Sequence, residues 1–333
     1  MPDLDAGTRE ALLRGLASAV RRDGELTPTQ TNLLTAVGGH LLGVETPIAD
    51  LAPITPTELA GAVTDPEVRV RVVHGMVALE IIAEPVSAAV HDQVVAFASA
   101  LGVDEAMLSV AHDYADGAMD QATQDFLRNS YIAEYYGRQD PSAASPLDHK
   151  ADDPELAAKW EALASCPPGS HGRLVWDFYQ MRGFAFPGTA GAVDPLLAQH
   201  DWVHCLADYG TSATGEIEVF TFLGSAIPDP KGFSYCVIIL GLFETGNVAF
   251  VPGVATARPG HLSEPGGTTR FADALRRGMA LKLDVMGGVD WFATADRPIE
   301  EVRQKLGVLP KSAEAIAAGS LSAMDPKAVF TVE

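Results

Sequence analysis

Cysteine is scarce in this chain. Three occur in 333 residues, Cys166, Cys205 and Cys236, with no CxxC spacing and an odd count. That argues against a disulfide framework and predicts a reduced, cytoplasmic setting. Long apolar runs are missing too. The longest, Tyr235 to Phe243, is too short to span a bilayer. The first residues, MPDLDAGTREALLRGL, carry acids and no apolar core, so no signal peptide is expected there. Basic residues are outnumbered, 23 Lys and Arg against 44 Asp and Glu, for a formal charge of -21. Bulk charge therefore works against non-specific binding to nucleic acid or anionic lipid. No haem, flavin or dinucleotide-fold pattern is present, and residues 5–125 show no convincing strand alternation.

What remains is a chain that is 47% hydrophobic, long enough for two ordinary domains with a core each. Residues 5–125 read as helices, with apolar residues three and four apart at Leu12, Leu13, Leu16 and again at Leu33, Leu34, Val37, Leu41. Turn residues punctuate them at Thr27-Pro28, Thr46-Pro47, Thr55-Pro56 and Asp65-Pro66. In three of these a Thr or Asp stands at an N-cap with Pro at the first helical position. Residues 126–154 form the expected linker, most polar over 138–154. Helices follow from 154 to about 225, over 233–245, 269–286 and 298–306, the last with Asp296 as its cap. Val248 to Gly267 reads as loop, and the Ala/Ser-rich tail after 311 as loosely ordered.

One run makes a specific chemical claim: His200-Asp201-Trp202-Val203-His204, with Glu216 twelve residues on. Asp194-Pro195 starts a helix well and Gly210 ends it. At 100° per residue, His204 lies at roughly 40° and Asp201 at roughly 100° from His200, so all three project into one arc. Leu196, Val203 and Ala207 fall on the neighbouring arc, which puts the polar cluster beside the buried side. Buried ionisable groups need a partner, and a shared cation supplies one. The Tyr209-Gly210-Thr211 turn lets a second helix, capped by Thr211, run back antiparallel. Glu216 then faces His204 from its second turn, with Gly215 permitting close approach. Mixed His/carboxylate ligation suits zinc, with iron or manganese as alternatives. A surface or capping His-Asp pair is the plain alternative. Asp208, at roughly 80° on the same face, reads as a solvated helix end or a partner behind the ligands. The HExxH pattern is not met, and phosphohydrolase HD sites need a distant His and Asp whose context is not found.

His200-Asp201-x-x-His204-x11-Glu216 resembles the signature of the coenzyme Q biosynthesis protein 4 family. Pro168-Gly169-Ser170-x-Gly172-Arg173, Trp176, Phe178 and Arg182-Gly183-Phe184 resemble its opening landmarks. Gly215-Glu216-Ile217, Val289-Asp290-Trp291, Arg297-Pro298 and Glu301-Val302-Arg303-x-x-Leu306-Gly307-Val308 resemble its later ones. The resemblance spans about 155–310. It implies an all-helical domain with a metal at His200, Asp201, His204 and Glu216, and a hydrophobic cavity for a prenylated aromatic lipid. It also implies oxidative decarboxylation of an aromatic ring, or scaffolding of biosynthetic enzymes at a membrane. Dioxygen would then act with the metal or the substrate alone. The long N-terminal region and the stretch Gly246 to Gly267 depart from the family's pattern and open other substrates, such as polyketides or other quinones.

In the N-terminal half, Arg22-Asp23-Gly24-Glu25-Leu26-Thr27 and Leu101-Gly102-Val103 resemble the tellurite-resistance TerB-like domain over about 8–117. Such acids can lie near a metal in that family. Here Asp23 and Glu25 read as a helix-start pair. His40, His74, His91 and His112 lack mutual ligand spacing and read as structural or exposed.

The expectation is therefore an all-α protein of two helical domains, with the C-terminal one carrying a metal site on a helix hairpin. The divisions are 1–125 TerB-like, 126–154 linker, 155–310 metal-binding and 311–333 tail. Catalytic and metal residues are His200, Asp201, His204 and Glu216. The expected partner is a hydrophobic aromatic or prenylated small molecule, with other biosynthetic enzymes and peripheral inner-membrane contact as further partners. A homo-oligomer is expected and nucleic acid is not. Two alternatives stand beside the enzyme reading: a non-catalytic lipid-binding scaffold, and a metal-dependent tailoring hydrolase or cyclase.

Overall fold

The computed structural model describes residues 4–83, 86–105, 107–116, 121, 152–245 and 259–328. Capping side chains set most helix starts. Asp5 accepts the Thr8 N–H at the head of α1 (Ala6–Val20). Thr27 accepts the Gln30 N–H ahead of α2 (Pro28–Val37), and Gln30 answers by accepting the Thr27 N–H. Thr55 and Glu58 repeat this capping box at α3 (Pro56–Ala62), and Asp65 caps α4 (Pro66–Ile81). Each of these three has Pro in its first turn, as the sequence predicts. Then follow α5 (Ala88–Leu101) and α6 (Met107–Ala115). The proposed linker falls almost wholly outside the described residues. Beyond it, Asp153 caps α7 (Pro154–Glu161). The C-terminal half continues with α8 (His171–Arg182), α9 (Gln199–Ala207), α10 (Ala213–Ala226) and α11 (Ser234–Phe243). It closes with α12 (Gly267–Leu281), α13 (Ile299–Leu306) and α14 (Ala313–Ala317). Among the described residues there is no β-strand, only isolated bridges joining Arg22 with Glu25 and Ser170 with Pro298. The protein is all-α.

Helix α10 is the packing axis of the C-terminal half. It runs against α11 and α12, and nearly every residue from Ile217 onward is buried. The crossing with α12 is close because Gly278 presents no side chain. A Cβ there would lie 2.0 Å from Ser225 Oγ and 2.2 Å from the Phe222 carbonyl. The apolar run Tyr235 to Phe243 is a core helix between α10 and α4, with Tyr235, Val237, Leu240 and Phe243 buried. No helix among the described residues is long and apolar enough to cross a membrane. The two halves touch where α4 meets α11 and α2 meets α12. An apolar cavity of about 80 Å³ sits at that junction, walled by Leu16, Leu34, Val72, Phe233, Phe271 and Leu275 among others.

Three expectations need correction. The helix predicted over 269–286 spans Gly267–Leu281 instead. Lys282 leaves it in a left-handed conformation, and Asp284 turns the chain by accepting the Met286 and Gly287 N–H groups. Asp296 is not the cap of α13, which starts after Pro298 without a side-chain cap. The tail is not loose through residue 328. Ala315, Ala323 and Ala328 are buried, and the Ala323 and Ala328 carbonyls accept from Arg182 at 2.8 and 3.3 Å. Small side chains hide this order in the sequence because the tail docks through its backbone.

Candidate metal centre

The helix bearing the motif starts later than Asp194-Pro195 suggests. Asp194 Oδ1 accepts the Leu196 and Leu197 N–H groups at 2.8 and 3.4 Å, holding a tight turn before regular α9 begins at Gln199. Nor does Gly210 end it. Asp208 takes the left-handed position at φ 63°, and its carboxylate accepts Ser322 Oγ–H and Ala323 N–H at 2.6 and 3.1 Å. Asp208 thus anchors the tail and is neither a solvated helix end nor a support for the ligands. Ser212, not Thr211, caps α10 by accepting the Gly215 N–H, and Glu216 stands in its first turn, not its second. Thr211 instead donates both its N–H and its hydroxyl to the Ala328 carbonyl.

The hairpin nonetheless gathers all four predicted residues. His200, Asp201 and His204 each offer a ligand atom within 4.8 Å of the others and can together hold a metal ion. Glu216 reaches them from α10, with Oε1 3.3 Å from His204 Nε2 and Oε2 3.9 Å from His200 Nε2. Both imidazoles are aimed from behind. His200 Nδ1 donates to the Leu197 carbonyl at 2.5 Å and His204 Nδ1 to the Tyr209 carbonyl at 3.0 Å. Those bonds leave Nε2 of each ring as the lone-pair nitrogen facing inward. His204 Nε2 is buried and meets only Glu216 Oε1, at 3.3 Å and without a well-aligned hydrogen bond, a contact that a cation could bridge. Phe178 stacks on the His204 ring at 5.5 Å, and Phe220 lies 5.2 Å from His200.

Asp201 is held in the same way. Tyr179 donates its phenol to Asp201 Oδ2 at 2.5 Å, leaving Oδ1 on the His200 side, 3.5 Å from Nε2. Burial, with the Asp201 charge beside it, pushes the Tyr179 hydroxyl well above its ordinary value, so it stays a donor. Tyr179→Phe is expected to weaken metal binding about 10-fold, as loss of a group orienting a ligand usually does. Competition against a chelator measures it, and unchanged affinity would remove Tyr179 from the site.

Electrostatics pair His204 with Glu216. Burial is the largest single influence on both and opposes charge, but their mutual attraction outweighs it, together with Asp201 and the Tyr209 carbonyl for His204 and with other cations for Glu216. His204 is raised above its ordinary 6.5, and Glu216 is lowered below its ordinary 4.5 with help from His200 and Arg182. In metal-free protein the Glu216 contribution is present above pH 4.5 and lost as pH falls through its depressed pKa. The His204 contribution is present below pH 6.5 and lost as pH rises through its raised pKa. Metal-free protein should therefore gain most from this pair between pH 4.5 and 6.5. Bound metal should shift that optimum upward, because proton and metal compete for His204 Nε2. Thermal midpoints across pH, with and without metal, check both signs.

Several motif residues around the site prove to be its framework. Arg303 donates to the Leu206 and Cys205 carbonyls at 2.9 and 3.0 Å, closing the C-terminal end of α9. The His171 and Gly172 N–H groups donate to the Arg297 and Ala295 carbonyls, tying α8 to the segment before α13. Arg182 lies over the Phe178 ring and donates to Thr211 Oγ1. His171 is buried beside the site and is held neutral by burial, with its pKa lowered to about 4. It donates Nε2–H to the Trp202 carbonyl. Tyr179 and His171 carry no motif of their own. Their only sequence signal is membership of the helix that bears Arg173 and Arg182.

No protein-family model and no curated protein matches the chain. Among solved structures, the chain is similar to a "putative ubiquinone biosynthesis protein" from Nostoc punctiforme. The identity is 19%, 70% of this chain and 96% of that chain are covered, and the TM-score is 0.32. A score that low transfers neither fold nor chemistry. The comparisons give the TerB-like resemblance no support.

Proposed function

We propose that the chain is a metal-dependent enzyme that decarboxylates an aromatic, prenylated or polyketide-derived carboxylate in quinone or related biosynthesis. The observation that carries this is the convergence of His200, Asp201 and buried His204 on one point, with Glu216 Oε1 3.3 Å from His204 Nε2. In this reading His200, Asp201, His204 and Glu216 are the ligands, and a nitrogen/oxygen set of this kind favours zinc over iron or manganese. A divalent cation there would supply Lewis acidity toward the substrate's carboxylate or phenolate. The motif resemblance around Ser170, Glu216 and Arg303 supports the substrate class. Its depressed pKa suits Glu216 to ligation or proton acceptance rather than proton donation. The aryl–carboxylate bond breaks, carbon dioxide leaves, and the ring carbon keeps the electron pair and takes a proton from water. In an oxidative variant a hydroxyl from water replaces the carboxyl group, and dioxygen takes the two electrons and leaves as hydrogen peroxide.

The second reading is a lipid-binding scaffold in which a metal would hold the α9–α10 hairpin together; the apolar cavity, at about 80 Å³, is too small for a prenylated aromatic and does not argue for it. Carbon dioxide release from prenylated hydroxybenzoates, with His204→Ala as control, separates the two. Release by the metal-loaded wild type alone supports the enzyme. A co-purifying lipid with no turnover of any aromatic acid supports the scaffold.

A further inference from the structure

One turn, Asp208 to Ser212, joins the helix that carries His200, Asp201 and His204 to the helix that carries Glu216. Its geometry therefore sets the 3.3 Å approach of Glu216 Oε1 to His204 Nε2. The turn is not held by local residues alone. Asp208 keeps a left-handed backbone at φ 63°, which a residue with a side chain sustains only where its surroundings fix it. The C-terminal segment does the fixing. Ser322 Oγ–H and Ala323 N–H donate to the Asp208 carboxylate at 2.6 and 3.1 Å. On the other side of the turn, the Ala328 carbonyl accepts the N–H and the hydroxyl of Thr211 at 2.7 and 3.1 Å. Between these two grips, Asp325 N–H donates to the Ser322 carbonyl and Ala328 N–H to the Asp325 carbonyl, so the clasp is itself folded.

Two further features tie this clasp to the ligands. Gly210 is not at positive φ, yet a Cβ there would lie 2.2 Å from Ala328 Cβ and 2.9 Å from the Ala328 carbonyl oxygen. The glycine is the seat of Ala328, which is fully buried. Arg182, the last residue of α8, donates to Thr211 Oγ1 and to the Ala323 carbonyl, both at 2.8 Å. The same helix carries Phe178, stacked on His204, and Tyr179, bonded to Asp201. One guanidinium thus joins the helix behind two of the ligands, the turn that places Glu216, and the tail. We infer that residues 322–328 are a positioning element of the metal centre. Docked, they fix the turn so that Glu216 meets the histidines; undocked, they let the Glu216 carboxylate move off and metal affinity falls. None of them touches a ligand side chain, so they act through Asp208, Gly210 and Thr211. The inference rests on the metal centre proposed above. Linkage makes it reciprocal: the factor by which the docked tail tightens metal binding is the factor by which bound metal tightens the tail. A tail that only covered apolar surface would show neither effect.

The test combines zinc affinity, by competition against a chelator, with amide hydrogen exchange at Ala323, both on the full chain. Gly210→Ala should push Ala328 off its seat, speed exchange at Ala323 and weaken zinc binding about 10-fold, the scale on which loss of a group supporting a ligand is felt. Adding Ala328→Gly removes the closest clash and should recover part of both. Ser322→Ala removes one hydroxyl and no ligand, so it carries the test if Gly210→Ala does not fold; it should weaken zinc binding several-fold. In the wild type, zinc should slow exchange at Ala323 by the factor that release of the tail costs in zinc affinity. Unchanged zinc affinity in a variant whose Ala323 exchanges fast would overturn the inference, and so would exchange in the wild type that is indifferent to bound zinc. The two failures are distinguishable. A wild type that takes up no zinc sinks the metal centre and this inference with it, whereas zinc held equally by the wild type and the tail-released variants sinks the role of the tail alone.

Discussion

His204→Ala should strip the protein of tightly bound metal, lowering affinity ~100-fold or more, since loss of a group merely supporting a ligand already costs 10–100-fold. The expectation rests on position. The imidazole is wholly buried, stacked on Phe178, and presents Nε2 to Glu216 at 3.3 Å. Removing it also orphans the Tyr209 carbonyl and leaves Glu216 facing a void, so the metal-free variant should lose about 2–4 kcal/mol of stability. His204→Asn divides the two effects. Its amide can still donate to Tyr209 but offers nothing at the Nε2 position, so it should recover part of the stability and none of the metal. Metal analysis and thermal melting on the same samples read both. Metal retained by His204→Ala would mean that the ion sits elsewhere.

Gly215→Ala should be nearly as damaging, although it touches no ligand. A Cβ at 215 would lie 2.1 Å from the Gly210 carbonyl oxygen and 2.6 Å from its carbon. Both are backbone atoms, so the turn must open. Overpacking of this kind costs about 1–3 kcal/mol, or roughly 2–10 °C in melting midpoint. Because Glu216 follows directly, opening the turn also carries its carboxylate away from His204, and metal affinity should fall with stability. Gly61→Ala is the control: that helical position has nothing within 4 Å, and the change should be neutral or slightly stabilising. If Gly215→Ala melts and binds metal as wild type does, the close approach of the hairpin is not what positions Glu216.

The helical class and three proline-led N-termini were legible in the sequence because capping is local. Thr27, Thr55 and Asp65 need only the residues two or three ahead of them. The convergence of His200, Asp201 and His204 was legible because four-residue spacing on a helix is also local, and the approach of Glu216 because a glycine turn gave it a route back. What failed was the detail of that turn. Asp208 rather than Gly210 takes the left-handed position, and Asp208 and Thr211 are both engaged by the tail, more than a hundred residues away. No local signal announces such contacts, since the tail contributes backbone groups and a single serine hydroxyl. Tyr179 escaped notice for a related reason: its role depends on which helix lies across from Asp201.

The most direct measurement is the metal content of the wild-type chain, stripped with chelator and then dialysed against zinc, iron or manganese with X-ray absorption of the loaded protein. The account predicts one ion per chain, bound through nitrogen and oxygen with no sulfur, and most tightly when the metal is zinc. Failure to take up any ion stoichiometrically, or a sulfur scatterer in the coordination shell, would contradict it.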